Sequence, residues 1–271
     1  LKGKSIINLF MEPSTRTRSS FELAGKYLGA DVINITKSGS SMVKGESLRD
    51  TLLTVSYMGA DAVVMRHSAE GAPLYASKCV DPVIVNAGDG AHEHPTQALL
   101  DMYSILERKG KLEGLKVVIC GDVMHSRVAR SDIYGMQKMG IDVHLAGPRT
   151  LVYPEMEKMG VTVHHDIREA LEGADVVNVL RIQLERINSA LYPTDREYAR
   201  IFGINSEVLK AAKPDVMVMH PGPMNRGLEI SHDVAYSEES VIQEQVRNGV
   251  AIRMAVLYLT INGGDGSEIA D

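Results

Sequence analysis

Ser14-Thr15-Arg16-Thr17-Arg18 sets three hydroxyls and two guanidiniums in consecutive positions, directly after Glu12-Pro13. The residues before this segment suit a β-strand and those after it a helix, a junction that favours an anion. The first turn of a helix exposes unpaired N–H groups and a partial positive charge, hydroxyls add donors, and a guanidinium offers a planar fork that matches phosphate oxygens. Taken alone, the segment also suits a Ser or Thr helix cap with solvated arginines. It is not a P-loop, because the spaced glycines and the Gly-Lys pair are missing. Two other segments place chemistry at similar junctions. Met65-Arg66-His67-Ser68 closes an apolar run, and His94-Pro95-Thr96-Gln97 opens a helical one after Asn86-Ala87-Gly88-Asp89-Gly90. By themselves, Arg66 reads as a strand-end ion-pair former and His94 as a helix N-terminal histidine. His92-Glu93-His94 has the residue types of a zinc site but no third and fourth ligand at useful spacing. Gly121-Asp122 follows a strand candidate without the Gly-x-Gly-x-x-Gly pattern of a dinucleotide site. Cofactors and metals are therefore not expected.

The elements that must position these residues recur as short Val- and Ile-rich runs with helical stretches between them, the rhythm of parallel βαβ layers. Ser5–Phe10, Asp31–Ile35, Ala62–Met65 and Pro82–Asn86 read as buried strands of a first set. Thr15–Gly29 (Phe21, Ala24, Leu28), Ser47–Gly59 (Leu48, Leu52, Val55, Met58) and Thr96–Arg108 (Leu99, Met102, Leu106) carry apolar residues at helical spacing. A second set comprises Lys116–Cys120, Asp142–Ala146, Val161–His164, Val176–Leu180 and Val216–His220. Lys109–Leu115, with Gly110 and Gly114, reads as the connection between the sets. The stretch from Ile182 to Asn205 reads as a long polar loop of functional type. Val250–Ile261 is apolar on most faces and predicts a buried helix returning to the first domain; Asn262–Asp271 reads as a frayed tail. The fold class is thus α/β: two doubly wound parallel-sheet domains, residues 1–110 joined by a helix at about 247–262, and residues 111–246; resemblance of these segments to a known family implies an active site in the cleft between them.

In order and in residue type, these segments resemble the aspartate/ornithine carbamoyltransferase family across nearly the whole chain. The resemblance implies that Ser14, Thr15, Arg16 and Thr17 hold the phosphate of carbamoyl phosphate. It also implies that Arg66 bridges phosphate and carbonyl oxygens and that His94 and Gln97 touch the carbamoyl group. His94, Arg66, Thr17 and Arg16 would carry catalysis. Arg127, in Gly121-Asp122-Val123-Met124-His125-Ser126-Arg127, and Arg181 with Gln183, in Leu180-Arg181-Ile182-Gln183-Leu184-Glu185-Arg186, match the aspartate-type segments. Two carboxylates need cationic forks, whereas the ornithine side chain would need an acid. The Ser-Met-Gly and His-Cys-Leu-Pro segments of ornithine-type members are missing. His220-Pro221-Gly222-Pro223 stands in place of the family's proline loop, where Gly222 would offer its carbonyl to the attacking amine. The polar segment Ser38–Glu46 looks on composition like a solvated loop. The family implies instead that Ser40 and Lys44 reach a neighbouring subunit's site, so that the unit is a homotrimer with shared active sites, Lys44 also facing aspartate. The implied activity is carbamoyl transfer from carbamoyl phosphate to L-aspartate. The alternatives are transfer to another amine such as ornithine, or a non-catalytic anion-binding homologue. Regulatory chains or a multienzyme partner are compatible with the family. A leading helix before Ser5 is also implied, and the chain opens at Leu1, so a missing leading segment is expected.

Composition agrees with an enzyme of this size. The 271 residues are 44% hydrophobic and 24% charged, average for a soluble globular protein. Lys plus Arg is 29 against 35 for Asp plus Glu, a net charge of −6, so nucleic-acid binding through overall charge is not expected and any cationic site must be local. No apolar run approaches the roughly 20 residues of a membrane span, and no signal segment opens the chain. Two distant cysteines, Cys79 and Cys120, support neither a disulfide framework nor a thiolate site. The expected location is cytoplasmic.

Overall fold

The computed structural model describes residues 1–37, 45–183 and 194–263. The chain divides into two compact units, Leu1–Thr96 together with the segment from Val246 onward, and Gln97–Gln245. The first unit runs β1 (Ser5–Phe10), α1 (Thr15–Tyr27), β2 (Asp31–Thr36), α2 (Leu48–Tyr57), β3 (Ala62–His67), α3 (Ala72–Ser77) and β4 (Val83–Asp89). Its strands pair in parallel in the order β2-β1-β3-β4. Alternation along β1 sends Ile6 and Phe10 to one face, with Phe21 of α1, and Ile7 and Leu9 to the other, with Leu52 and Val55 of α2. Each fully buried side chain of this kind contributes roughly 1.5–3 kcal/mol.

α4 (Pro95–Lys109) contains the division between the units. The second unit then runs β5 (Lys116–Cys120), α5 (Arg127–Lys138), β6 (Asp142–Ala146), a 3-10 turn at Pro154–Met159, β7 (Thr162–His164), α6 (Ile167–Leu171) and β8 (Val176–Val179). α7 (Asp195–Phe202), α8 (Ser206–Leu209), β9 (Met217–Met219), α9 (His232–Ala235) and α10 (Ile242–Asn262) follow. Its sheet is parallel in the order β7-β6-β5-β8-β9. Val117 and Ile119 pack with Ile133 and Met136 of α5, while Val118 and Cys120 pack with Ile167 and Leu171 of α6.

In both sheets the strand order reverses beside the first strand, between β1 and β3 and between β5 and β8. Successive connections there pass to opposite faces and leave a crevice at the carboxyl ends of the strands, where open α/β sheets bind ligands. The α/β architecture with two parallel sheets agrees with the sequence-based expectation.

Four expectations change. β2 is a half-exposed sheet edge, with Ile33 55% exposed, because only β1 pairs with it. On α4 the anticipated stripe is not the buried face: Leu99 and Leu106 are exposed, while Ala98, Asp101 and Ile105 face inward, because the helix buries polar groups in a hydrogen-bonded cluster. The supposed long loop contains α7, whose Thr194 hydroxyl accepts from the Glu197 N–H at 3.1 Å, the Thr-x-x-Glu signature of a helix start. The predicted buried helix spans Ile242–Asn262, but between Val250 and Ile261 only Arg253 and Leu257 are buried, since a single strip of it meets the first unit's core.

Candidate active site

Ser14 caps α1 in an extended conformation without accepting a hydrogen bond from the helix, and no acidic residue occupies the first turn. The positive end of the helix is therefore not offset from within its own first turn. Thr15 and Arg16 are exposed, Ser14 is half-buried and Thr17 is buried. Arg66, at the end of β3, brings Nη1 to 3.4 Å from the Ser14 hydroxyl, and its Nε lies 3.5 Å from Glu12 Oε2. The two segments are joined in the backbone as well, since Met11 N–H donates to the Arg66 carbonyl at 2.8 Å. The β1/β3 crevice thus brings Ser14 and Arg66 together at one end of α1.

His94 is buried immediately before α4. The segment leading to it is shaped by Asp89, itself 1% exposed. One oxygen of Asp89 accepts from Asn86 Nδ2 (3.0 Å) and Glu93 N–H (3.1 Å), and the other from Gly71 N–H (2.7 Å) and meets His92 Nδ1 (3.0 Å). Burial would raise this carboxyl's pKa, but hydrogen bonds from Asn86, Gly71 and His92 outweigh it and hold the group below its ordinary value. His67 beside Arg66 is shifted down, chiefly by burial, and its Nδ1 accepts the Ala69 N–H at 2.8 Å. Among the described residues no three His, Cys, Asp or Glu side chains converge as metal ligands would.

In the second unit, Arg127 is the first residue of α5 and is buried, with Ser126 as the cap accepting from Ala129 N–H at 3.1 Å. Asp122, fully buried, accepts from His125 N–H (3.2 Å), meets His125 Nδ1 at 2.8 Å, and takes the Gln183 N–H at 3.4 Å. Gln183 Nε2 donates to the His125 carbonyl at 2.9 Å, so the segments after β5 and β8 are tied together. Arg181 lies half-buried two residues before Gln183. Gly121 turns the chain into Asp122 at φ +121°, where an added Cβ would stand 2.8 Å from the Leu180 carbonyl oxygen; only glycine suits that approach.

The proline loop is clamped from behind. His220 Nδ1 accepts the Gly222 N–H at 2.8 Å, which leaves Nε2 as the donor toward Glu229 Oε1 at 3.2 Å. Glu229 also accepts the Asn225 N–H, and Asn225 Nδ2 donates to the Ile182 carbonyl at 3.0 Å. The loop is thereby fixed to the chain segment that carries Arg181 and Gln183. Gln97, on the first turn of α4, donates to Asp101 at 3.0 Å. Ser40 and Lys44 lie outside the described residues, as do Leu184, Glu185 and Arg186.

Four acids not expected from the sequence, Glu12, Asp89, Asp122 and Glu229, hold the expected residues rather than stand among them. A signal for two was present in Gly88-Asp89 and Gly121-Asp122, where an acid follows a sharp turn at a strand end and can receive nearby N–H groups.

The family described as aspartate/ornithine carbamoyltransferase, carbamoyl-P binding domain, matches residues 1–107, and its Asp/Orn binding domain matches residues 113–260. The aspartate carbamoyltransferase catalytic subunit of Desulforamulus reducens is 60% identical over 263 residues, covering 97% of this chain and 84% of that protein. That of Heliobacterium modesticaldum is 62% identical over 267 residues, covering 98% and 85%. Among solved structures, aspartate transcarbamoylase from Trypanosoma cruzi in complex with N-(phosphonacetyl)-L-aspartic acid is similar with a TM-score of 0.86 at 34% identity, covering 95% of this chain and 84% of that one. Ornithine carbamoyltransferase from Pyrococcus furiosus gives 0.85 at 31% identity, covering 97% and 86%.

Proposed function

This chain belongs to the aspartate/ornithine carbamoyltransferase family, and we propose from that premise that it transfers the carbamoyl group of carbamoyl phosphate to the α-amine of L-aspartate, giving N-carbamoyl-L-aspartate and phosphate. The observation that carries aspartate over ornithine is the identity of 60–62%, across nearly the full chain, with catalytic subunits named for aspartate. The chemistry of the second unit supports it, for Arg127 and Arg181 suit a dicarboxylate.

Carbamoyl phosphate already carries a good leaving group, so the protein's task is position and charge stabilisation. Arg16 and the N–H and hydroxyl groups of Ser14, Thr15 and Thr17 hold the phosphate dianion at the positive end of α1. Arg66, His94 and Thr17 polarise the carbamoyl oxygen as the tetrahedral oxyanion develops, and Gln97 meets the carbamoyl group. Arg127, Arg181 and Gln183 orient aspartate, and the Gly222 carbonyl accepts from its amine. The neutral amine attacks the carbonyl carbon to form the C–N bond. The C–O bond to phosphate then breaks, and the departing phosphate takes the proton that the amine sheds. Residues 1–110 with the helix at 247–262 serve the first substrate and residues 111–246 the second.

Ser40 and Lys44 complete a neighbouring subunit's phosphate site in a homotrimer, Lys44 also reaching aspartate there, an arrangement compatible with regulatory chains or a multienzyme partner. The setting is cytoplasmic and the pathway pyrimidine biosynthesis. No helix among the described residues is long and apolar enough to cross a membrane. Incubation of the protein with carbamoyl phosphate and either aspartate or ornithine, followed by assay of phosphate and ureido product, tests the reading. It stands if product forms with aspartate and falls if none does.

A further inference from the structure

One carboxylate oxygen in the interior of the second unit receives two side-chain amides. Asp101 Oδ1 accepts from Gln97 Nε2 at 3.0 Å, one turn earlier on α4, and from Gln245 Nε2 at 2.7 Å, on α10. Gln245 Oε1 in turn accepts the His220 N–H at 2.9 Å, and His220 Nδ1 accepts the N–H of Gly222. Asp101 is fully buried, and Gln97, Gln245 and His220 are all less than a tenth exposed. Only the NH2 side of an amide can face a carboxylate, so Asp101 settles the orientation of both glutamines. Gln97 is left presenting Oε1, the acceptor a carbamoyl NH2 requires, and Gln245 presents its own oxygen to the proline loop.

A buried carboxylate costs desolvation that an aliphatic side chain in the same place would not. Here the cost comes with a dense set of partners. Behind Asp101 stands Asp132 of α5, whose Oδ2 accepts from Asn178 Nδ2 at 2.9 Å. Burial first, then the charge and hydrogen bond of Asp101, push the Asp132 carboxyl well above its ordinary value.

We propose that Asp101 is a positioning residue for carbamoyl transfer, its single Oδ1 fixing both the Gln97 amide that meets the carbamoyl group and, through Gln245, the His220–Gly222 turn that meets the attacking amine. This rests on the reaction proposed above and adds to it a physical link between the groups that serve the two substrates. Neither Asp101 nor Gln245 touches substrate; both act through the residues they hold.

The test measures KM for carbamoyl phosphate and for aspartate separately in the full chain and in Asp101→Ala, Asp101→Asn and Gln245→Met. Loss of one buried hydrogen bond at each end should raise both KM values about fivefold or more in Asp101→Ala, whereas in Gln245→Met, where Asp101 still holds Gln97, the KM for aspartate alone should rise by that factor. Asp101→Asn, which keeps an acceptor oxygen, should recover most of the loss. Variants that melt at lower temperature with both KM values unchanged would overturn the proposal, as would a rise confined to one substrate in Asp101→Ala. Should these variants misfold, hydrogen exchange of the His220 amide in the unaltered chain decides the matter. It should slow when carbamoyl phosphate alone is added, and indifference to that ligand would overturn the link. Absence of carbamoyl-aspartate from the unaltered chain defeats the proposed reaction instead, a result distinct from unchanged KM values in a working enzyme.

Discussion

Arg66 Nη1 stands 3.4 Å from the hydroxyl of Ser14, 52 positions away in sequence, at the point where α1 begins. Glu12, on the other side of the same guanidinium, lies 3.5 Å from Nε. The arginine's direction is therefore set by its surroundings, so that in the proposed reaction the phosphate would meet a fork already turned toward it. Preorganisation of this kind matters because a dipole aligned in advance needs no reorganisation during the reaction.

Substituting Arg66→Lys tests the fork. The ammonium keeps the charge but loses the planar pair of donors and the simultaneous reach to Ser14 and Glu12. Turnover efficiency should fall at least about tenfold, the equivalent of one charged hydrogen bond of roughly 1.5 kcal/mol. Phosphate-release kinetics provide the measurement, and an efficiency close to that of the unaltered chain would remove Arg66 from the reacting centre.

Arg16→Ala should cost at least roughly 1.5–3 kcal/mol of transition-state stabilisation, read from kcat/KM. A sharper experiment pairs it with Lys44→Ala. If sites are shared between subunits, exchanging subunits of the two inactive proteins creates some sites that carry neither substitution, and activity should return in part. A verified hybrid trimer that stays inactive excludes the shared arrangement.

The pH dependence of stability has a sign fixed by Asp132. Its carboxyl has a pKa raised by burial and by Asp101, from an ordinary value of 3.8. Between that value and the raised one the folded chain binds a proton that the unfolded chain has released. The stabilisation is complete below about 3.8 and is lost as pH rises through the folded pKa. Asp132→Asn cannot titrate and should flatten this decline. Urea midpoints measured across the acid-to-neutral range compare the two proteins, and identical slopes would contradict the assignment.

Cysteine chemistry should distinguish the two thiols. Burial, then the nearby Glu229 charge, raises Cys120 to about 12, and the side chain is 3% exposed. Cys79 is only half-buried. Since the thiolate is the reactive form, a disulfide reagent should modify Cys79 alone in the native protein and both residues after denaturation. Rapid native modification of Cys120 would refute the described packing.

Much of this architecture is legible in the sequence because short apolar strands carry their own signal. β1, β5 and β6 coincide with runs whose Val and Ile content and short length leave few alternatives. α5 escaped the periodicity because its inward face includes Ser131 and Asp132 beside Ile133 and Met136, which blurs the contrast between buried and exposed sides. The edge position of β2 was hidden for a different reason, since pairing order is a property of the whole sheet and not of Asp31–Thr36. At the site, Ser14 and Arg66 were identifiable from residue type and order. The supporting acids were not, because Glu12 and Glu229 acquire their meaning only from partners brought near by folding.

Leu257 lies in the same apolar cluster as Ile6, Phe10 and Phe21, and the Arg253 guanidinium sits 5.2 Å over the Phe21 ring. The first unit's interior is thus closed by residues that leave the ribosome only after all of Gln97–Gln245. During synthesis the N-terminal sheet must wait, with Phe21 and its neighbours unsealed, while the second unit is made and is free to fold. Translation order and completion order of the two units are consequently reversed: the sheet made before Gln97–Gln245 is sealed only after that whole segment has been made.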